Sequence, residues 1–274
     1  MAKRVESPSS INTFKQCHRK YYYQYIEKLP TLSNIHQIRG NIAHSCLEDF
    51  YNIEVSTFSE TEMVFKFRAA MQKLLYFHWM KSKPKLTELG LSSDQERFYF
   101  EETMLMLTNW TEQFIDSVKN YMQQKKVMLP EAFVALTPIR ELEYSSERYA
   151  VRGFIDAIQQ MGEEVHIIDY KTNNSFDFKD SIRLQLAIYS LLYHEKHGKL
   201  PSKVGIFFLR NRLKLMNVDE ELLELARREI ELIHAHTTKT EAVMDYPKTI
   251  SGLCKWNGGE CDFYKVCKPH EKAL

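Results

Sequence analysis

The sequence predicts an α/β protein, and three observations carry that reading. Apolar, β-branched runs over Tyr149–Gln160 and Val165–Thr172 flank Met161-Gly162-Glu163-Glu164, the pattern of two strands joined by a two-residue turn with Gly in its first central position. Leu184, Ala187, Ile188, Leu191 and Leu192 then recur at helical spacing, and the apolar run Val204 to Leu209 follows them as a further strand. Ahead of the hairpin, from Ser56 to Lys126, apolar residues again keep a helical period, so a helical segment precedes the sheet.

Composition bounds the partners. A chain of 274 residues, 44% apolar and 27% charged, is ordinary globular stock, long enough for one large domain or two small ones. A net charge of +1 neither demands nor excludes nucleic acid, so any surface for it must be a local basic patch. No apolar run has the length of a membrane span, and the start lacks the apolar region of a secretory signal. The cytoplasm is the expected location. Five cysteines, an odd number without secretory context, argue against a disulfide framework and for metal or cluster ligation.

In chain order, Ser9 or Ser10 can cap a first helix with Ile11, Phe14, Tyr21, Tyr22 and Tyr25 on its apolar side and Cys17 on or beside that stripe. A second helix is expected over Ile38 to Glu54. Leu47, Phe50 and Tyr51 give it an apolar face, His44 points near the core, and Cys46 reads as a buried, unligated thiol. The helical segment from Ser56 has a break around Ser82-Lys83-Pro84-Lys85. One stripe is Val64, Phe67, Met71, Leu74 and Leu75; another is Leu107, Trp110, Phe114, Val118 and Tyr121, and both are core faces. Lys119, Lys125 and Lys126 read as a solvated end. The stretch Pro138 to Tyr149 opens the sheet, and its Glu141 and Glu143 read as solvated charges ahead of any part in a metal site.

The hairpin fixes a register. If Met161 and Glu164 close the turn, Asp156 falls opposite Asp169, and Lys171, two residues on, shares the Asp169 face. Like charges facing across a ladder are unfavourable, so a chain that places them there usually holds a cation between them. A lone Asp or Lys is most often solvated. Two acids and an ammonium on one apolar hairpin fit a hydrolytic site, where a hard divalent ion activates water and neutralises charge on phosphorus.

Beyond the hairpin, Gln185 and Tyr189 meet on one face of a helix from Ser181 to His197, and Arg183 lies beside them. Arg210, Arg212 and Lys214 end the following strand in alternate cations that can line a phosphate track. Glu220 to His236 reads as a charged amphipathic helix. Cys254, Cys261 and Cys267 form a compact group one thiolate short of a tetrahedral or cubane site, and Cys17 can complete it. Four thiolates also suit zinc.

Gly153-Phe154-Ile155-Asp156 with Ile168-Asp169-Tyr170-Lys171-Thr172 resembles the core of the PD-(D/E)XK nuclease superfamily, in particular its RecB-like branch of helicase–nuclease repair complexes and CRISPR-adaptation nucleases. Gly40-x-x-x-His44 matches the family's metal-binding histidine helix, and Gln185-x-x-x-Tyr189 follows the lysine at the family's interval. Ser10-x-x-x-Phe14-x-x-Cys17, then Arg19 to Tyr23, resembles the start of the iron–sulfur members, with His18 where proline is common. Those members also place one cysteine before the catalytic core and three after it, although many use a spacing of two where Cys254 and Cys261 have six residues between them.

The resemblance implies a restriction-endonuclease-like mixed central sheet flanked by helices, within one nuclease domain over 1–274. Its parts would be amino-terminal helices over 1–55, a helical insertion over 56–130, the catalytic sheet and helix over 137–215, and an iron–sulfur cysteine loop over 250–270. It further implies Mg²⁺ or Mn²⁺ on His44, Asp156, Asp169 and the Tyr170 carbonyl, with Lys171 assisting the attacking water and Gln185 and Tyr189 holding the base or the DNA backbone. A 4Fe-4S cluster, or structural Zn²⁺, would sit on Cys17, Cys254, Cys261 and Cys267. The implied activity is exonucleolytic, on DNA with a single-stranded end, with a helicase or a CRISPR integration complex as partner; Arg183, Arg210 and Arg212 are the cations placed to contact that DNA. Two other readings stand beside it: a structure-specific endonuclease, and an inactive, cluster-stabilised DNA-binding or assembly module.

Overall fold

A computed structural model describes residues 3–173, 175–240, 242–257 and 259–270. Helix α1 (Pro8–Gln16) starts one turn earlier than the serine pattern suggested. Ser7 is its N-cap and accepts from Ser10 N, while Ser10 Oγ accepts in turn from Ser7 N in a capping box. After α2 (His18–Tyr21) and a π-helical turn, Asn34 caps α3 (Ile35–Phe50) by the same device, shifting that helix about three residues towards the amino end.

The helical segment divides into α4 (Glu60–Lys81), α5 (Lys83–Glu88) and α6 (Ser93–Lys125). The wider break falls at Leu89 to Ser92, where Gly90 takes φ +64°, whereas at Pro84 one residue separates two helices because proline fits a first helical turn. A short helix that the sequence reading lacked, α7 (Leu129–Leu136), leads into the sheet.

Strands β1 (Ile139–Ser146), β2 (Val151–Met161), β3 (Glu164–Lys171), β4 (Lys203–Phe208) and β5 (Leu213–Asn217) lie in sequential order. All neighbours are antiparallel except β3 and β4, which α8 (Asp180–His197) joins as a parallel crossover. The sheet is therefore mixed, with helices on both faces. On one face Ile168, Tyr170 and Phe207 pack with Phe50, Phe67, Trp110, Phe114 and Phe133 from α3, α4, α6 and α7. On the other, Ile155, Ile167, Val204 and Ile206 pack with α1, α8 and α9 (Glu220–Thr237). Each such side chain, fully buried, contributes about 1.5–3 kcal/mol.

The hairpin register is the expected one, from Met161↔Glu164 to Ala157↔Ile168, and Gly162 alone of the two turn residues has positive φ, as a type II′ turn requires. The ladder then stops one pair short of Asp156 and Asp169. Beyond that point β2 continues along β1 to Val151, and β3 continues along β4 to Lys171. The two middle strands thus part where both carry a carboxylate. Inside β2 the alternation also breaks: Ile155 and Ala157, two residues apart, face opposite cores.

The amino end is tied to this sheet and to the carboxyl end. Across the Glu6↔Val151 bridge, Glu6 N donates to the Ala150 carbonyl and Arg152 N to the Glu6 carbonyl, and Arg19 donates from Nε to the Tyr246 carbonyl at 2.7 Å. Among the described residues, no helix is long and apolar enough to cross a membrane.

Candidate active site

Where β2 and β3 part, Asp156 takes up the freed backbone. Its Oδ2 accepts the Tyr170 N–H at 2.8 Å, a bond that a ladder carbonyl would otherwise make. Glu141 sits at the same level on β1, between the pairs Arg140↔Ala157 and Leu142↔Ile155, and it too is left out of the ladder. Its φ of +45° is left-handed, a conformation that costs a non-glycine residue on the order of 1–3 kcal/mol.

Helix α3 supplies the third group. His44 Nε2 donates to the Tyr170 carbonyl at 3.0 Å, which directs Nδ1 towards Asp156 Oδ2 at 3.4 Å and Glu141 Oε1 at 4.0 Å. Among the described residues, His44, Glu141 and Asp156 are the group of three whose ligand atoms all lie within 4.8 Å of one another. An imidazole with its second nitrogen held by a carbonyl, facing two carboxylates, is a donor set suited to a divalent ion. The Tyr170 carbonyl accepts from His44 and keeps its second lone pair.

Asp169 and Lys171 point to the α8 side. Asp169 Oδ1 accepts from Gln185 Nε2 at 2.8 Å, and Oδ2 faces Lys171 Nζ at 2.8 Å in a largely buried ion pair. Gln185 Nε2 also donates to Tyr189 Oη at 2.8 Å, so the i, i+4 pair on α8 orients the second carboxylate. The Tyr189 ring lies over Gly153, where a Cβ would come within 2.9 Å of Tyr189 Cε1. Glycine here admits the ring.

Electrostatics follow from burial and crowding. Burial, then the Asp156 charge, pushes Glu141 up to about 7. Burial alone would lower His44, but the Asp156 hydrogen bond and the Asp156 and Asp169 charges raise it to about 9. Burial also raises Asp169 against the pull of Lys171. Lys171 is itself raised, because Asp169 outweighs its desolvation, and so stays an ammonium at neutral pH. Such crowding of acids is relieved by a cation.

Of the arginines expected to meet phosphate, Arg183 pairs with Glu221 at 3.2 Å, Arg212 lies 5.7 Å from the Phe176 ring centre, and Arg210 pairs with Glu102 beside the end of β3. Cys46 is buried, and burial lifts its thiol to about 12. The other four cysteines line one cavity with Tyr23, Phe263 and Pro269, and Thr249 N approaches Cys17 Sγ at 3.5 Å. Cys267 lies on the short helix α10 (Tyr264–Cys267). No three of these thiols, among the described residues, bring their sulfurs within 4.8 Å of one another, whereas zinc–sulfur bonds of about 2.3 Å would draw a tetrahedral set to about 3.8 Å.

Glu141, read from the sequence as a solvated charge ahead of any part in a metal site, is half-buried and converges with His44 and Asp156. The β1–β2 turn carries no glycine or asparagine. It closes instead with Ala150 at φ +45°, so the register that sets Glu141 beside Asp156 had no turn residue to mark it.

The model of the PD-(D/E)XK nuclease superfamily matches residues 6–268. A solved structure from Eubacterium rectale, provisionally called an exonuclease, is 12% identical over 100% of this chain and 91% of its own, with a TM-score of 0.53, a likeness of fold. The structure of SSO0001 is 13% identical over 95% and 96%, with a TM-score of 0.28. No curated protein matches the chain.

Proposed function

We propose that this chain, which belongs to the PD-(D/E)XK nuclease superfamily, hydrolyses DNA phosphodiester bonds at the parting of β2 and β3, as a RecB-like exonuclease acting on single-stranded ends. The observation that carries the proposal is the convergence of His44, Glu141 and Asp156 beside the Asp169–Lys171 pair.

His44, Glu141 and Asp156 would hold a Mg²⁺ or Mn²⁺ ion, whereas Asp169, expected as a ligand, is paired with Lys171 and Gln185 outside that group of three. When bound, that ion lowers the pKa of water and offsets charge developing on the phosphate. The chain's own groups do the rest. Lys171, an ammonium, orients the attacking water and meets the phosphate oxygen that gains charge. Gln185 fixes the carboxylate of Asp169, and Tyr189 fixes Gln185.

We assign a 4Fe-4S cluster to Cys17, Cys254, Cys261 and Cys267. The donor set is four thiols lining one cavity with Tyr23 and Phe263, with Lys20 and Lys248 beside them to offset thiolate charge. Its role is structural, since it would join the two ends of the chain. A helicase or CRISPR integration complex is the fitting partner for such an enzyme.

The test is degradation of end-labelled single-stranded DNA with Mg²⁺ or Mn²⁺. Wild type should shorten the strand and Asp169→Ala should not; equal degradation by both, or none by either, contradicts the assignment. A circular single strand should resist, and its cleavage would make the enzyme an endonuclease.

A further inference from the structure

Glu102 on α6 accepts from two arginines at once. Arg39, from α3, reaches Oε2 through Nη1 at 2.6 Å; Arg210, from the loop after β4, reaches the carboxylate through Nη1 and Nη2, both at 2.9 Å. Arg39 is only 4% exposed, so its charge has to be balanced where it lies, and Glu102 balances it. The hydrogen bonds of Arg210 and then of Arg39, working against burial, lower Glu102 to about 2 and keep it ionised. Two guanidiniums on one carboxylate leave a net charge of +1. The surplus falls to Arg210, whose side chain is 26% exposed.

Arg210 is also held in place from the catalytic strand. Its Nε donates to the Thr172 carbonyl at 3.3 Å, one residue past Lys171, and Leu209 N bonds the Lys171 carbonyl at 2.9 Å. A guanidinium has five N–H groups; these contacts use three and leave two. Phe98, one turn before Glu102 on α6 and 54% exposed, adds a face on which an unpaired base can stack.

We propose that Arg210, preset by Glu102 and the Thr172 carbonyl, binds the nucleic-acid backbone phosphate adjacent to the scissile one, with Arg39 cancelling Glu102 from behind. The assignment rests on the nuclease reading and names the contact that would hold the strand in register. It also separates Arg210 from Arg183, which lies on α8 paired with the exposed Glu221. A strut that merely pins α6 to the sheet would use the same three residues, so the test must tell a strut from a clamp.

Binding of a fluorescein-labelled oligothymidylate is measured in EDTA across a salt series for wild type, Arg210→Gln and Glu102→Gln. Loss of one phosphate contact should flatten the slope of log K against log salt by about 0.7 in Arg210→Gln and weaken binding several-fold at low salt. Glu102→Gln, which frees positive charge, should bind at least as tightly as wild type with an equal or steeper slope. If both variants weaken binding with the wild-type slope, or if Arg210→Gln binds as wild type does, the clamp is overturned. Should Arg210→Gln fail to fold, the sign of the Glu102→Gln effect decides, because a strut predicts weaker binding there. Wild type that binds but never cleaves with Mg²⁺ or Mn²⁺ would instead remove the nuclease reading and leave the binding result intact.

Discussion

Asp156 Oδ2 accepts the backbone N–H of Tyr170 at 2.8 Å, one residue beyond the last ladder pair of β2 and β3. A side chain thereby does the work of a strand carbonyl, and the strands separate without stranding a buried donor. The same carboxylate faces His44 Nδ1, so the bond that shapes the backbone also aims the acid into the site.

Asp156→Asn should separate these two tasks. The amide oxygen can still accept from Tyr170, so the melting temperature should stay within about 4 °C of wild type, equivalent to about 1–2 kcal/mol. Nuclease activity should fall on the order of 100- to 1,000-fold with loss of a charged ligand. Calorimetry and turnover on one preparation check both halves.

Glu141 and His44 make ion binding pH-dependent. In the metal-free protein Glu141 titrates near 7 and His44 near 9, and both must lose their protons to act as ligands. Mn²⁺ affinity should therefore rise from pH 6 to pH 9, with proton release seen as a buffer-dependent binding enthalpy. Metal-free stability should move the other way. Both groups have raised folded-state pKa values, so the Glu141 contribution is full below about 4.5 and lost as pH rises through about 7, and the His44 contribution is full below about 6.5 and lost through about 9. Glu141→Gln should flatten the lower part of that decline in denaturation curves taken in EDTA.

Gly153→Ala places a methyl group 2.9 Å from Tyr189 Cε1, and the ring has to move. Stability should drop by about 1–3 kcal/mol. The Gln185–Asp169 contact should loosen with it, lowering kcat about tenfold with little change in KM. Tyr189→Phe, which keeps the ring and loses one hydrogen bond, should be milder on both measures.

Anaerobically purified protein should contain iron and sulfide and absorb in the visible. Cys267→Ser should lose that absorption and melt at a lower temperature, because the thiols of the two chain ends would no longer share a group. Stoichiometric zinc without iron would replace the cluster with a zinc site.

The hairpin was legible in the sequence because β-branched runs and Gly162 define both strands and turn, and with them the register from Met161↔Glu164 to Ala157↔Ile168. The helix boundaries were less so: Ser7, the cap of α1, lies four residues before Ile11, and the cap of α3 is Asn34, four residues before the expected start at Ile38. The parting of β2 from β3 coincides with the two acids and with one side-chain-to-backbone bond, neither of which has a sequence period. Glu141 shares that difficulty, since its left-handed backbone reverses the alternation that would have placed it. Arg210 was visible as a strand-end cation, but its pairing with Glu102 spans the length of the helical segment and the sheet, and only the fold brings the two together.

The most direct test of the central claim is a Mn²⁺ titration followed by electron paramagnetic resonance at pH 8, comparing wild type with the double variant Glu141→Gln/Asp156→Asn. Wild type should show saturable loss of the free-ion signal, and the variant a site at least about tenfold weaker. Identical titrations for the two proteins would contradict that claim.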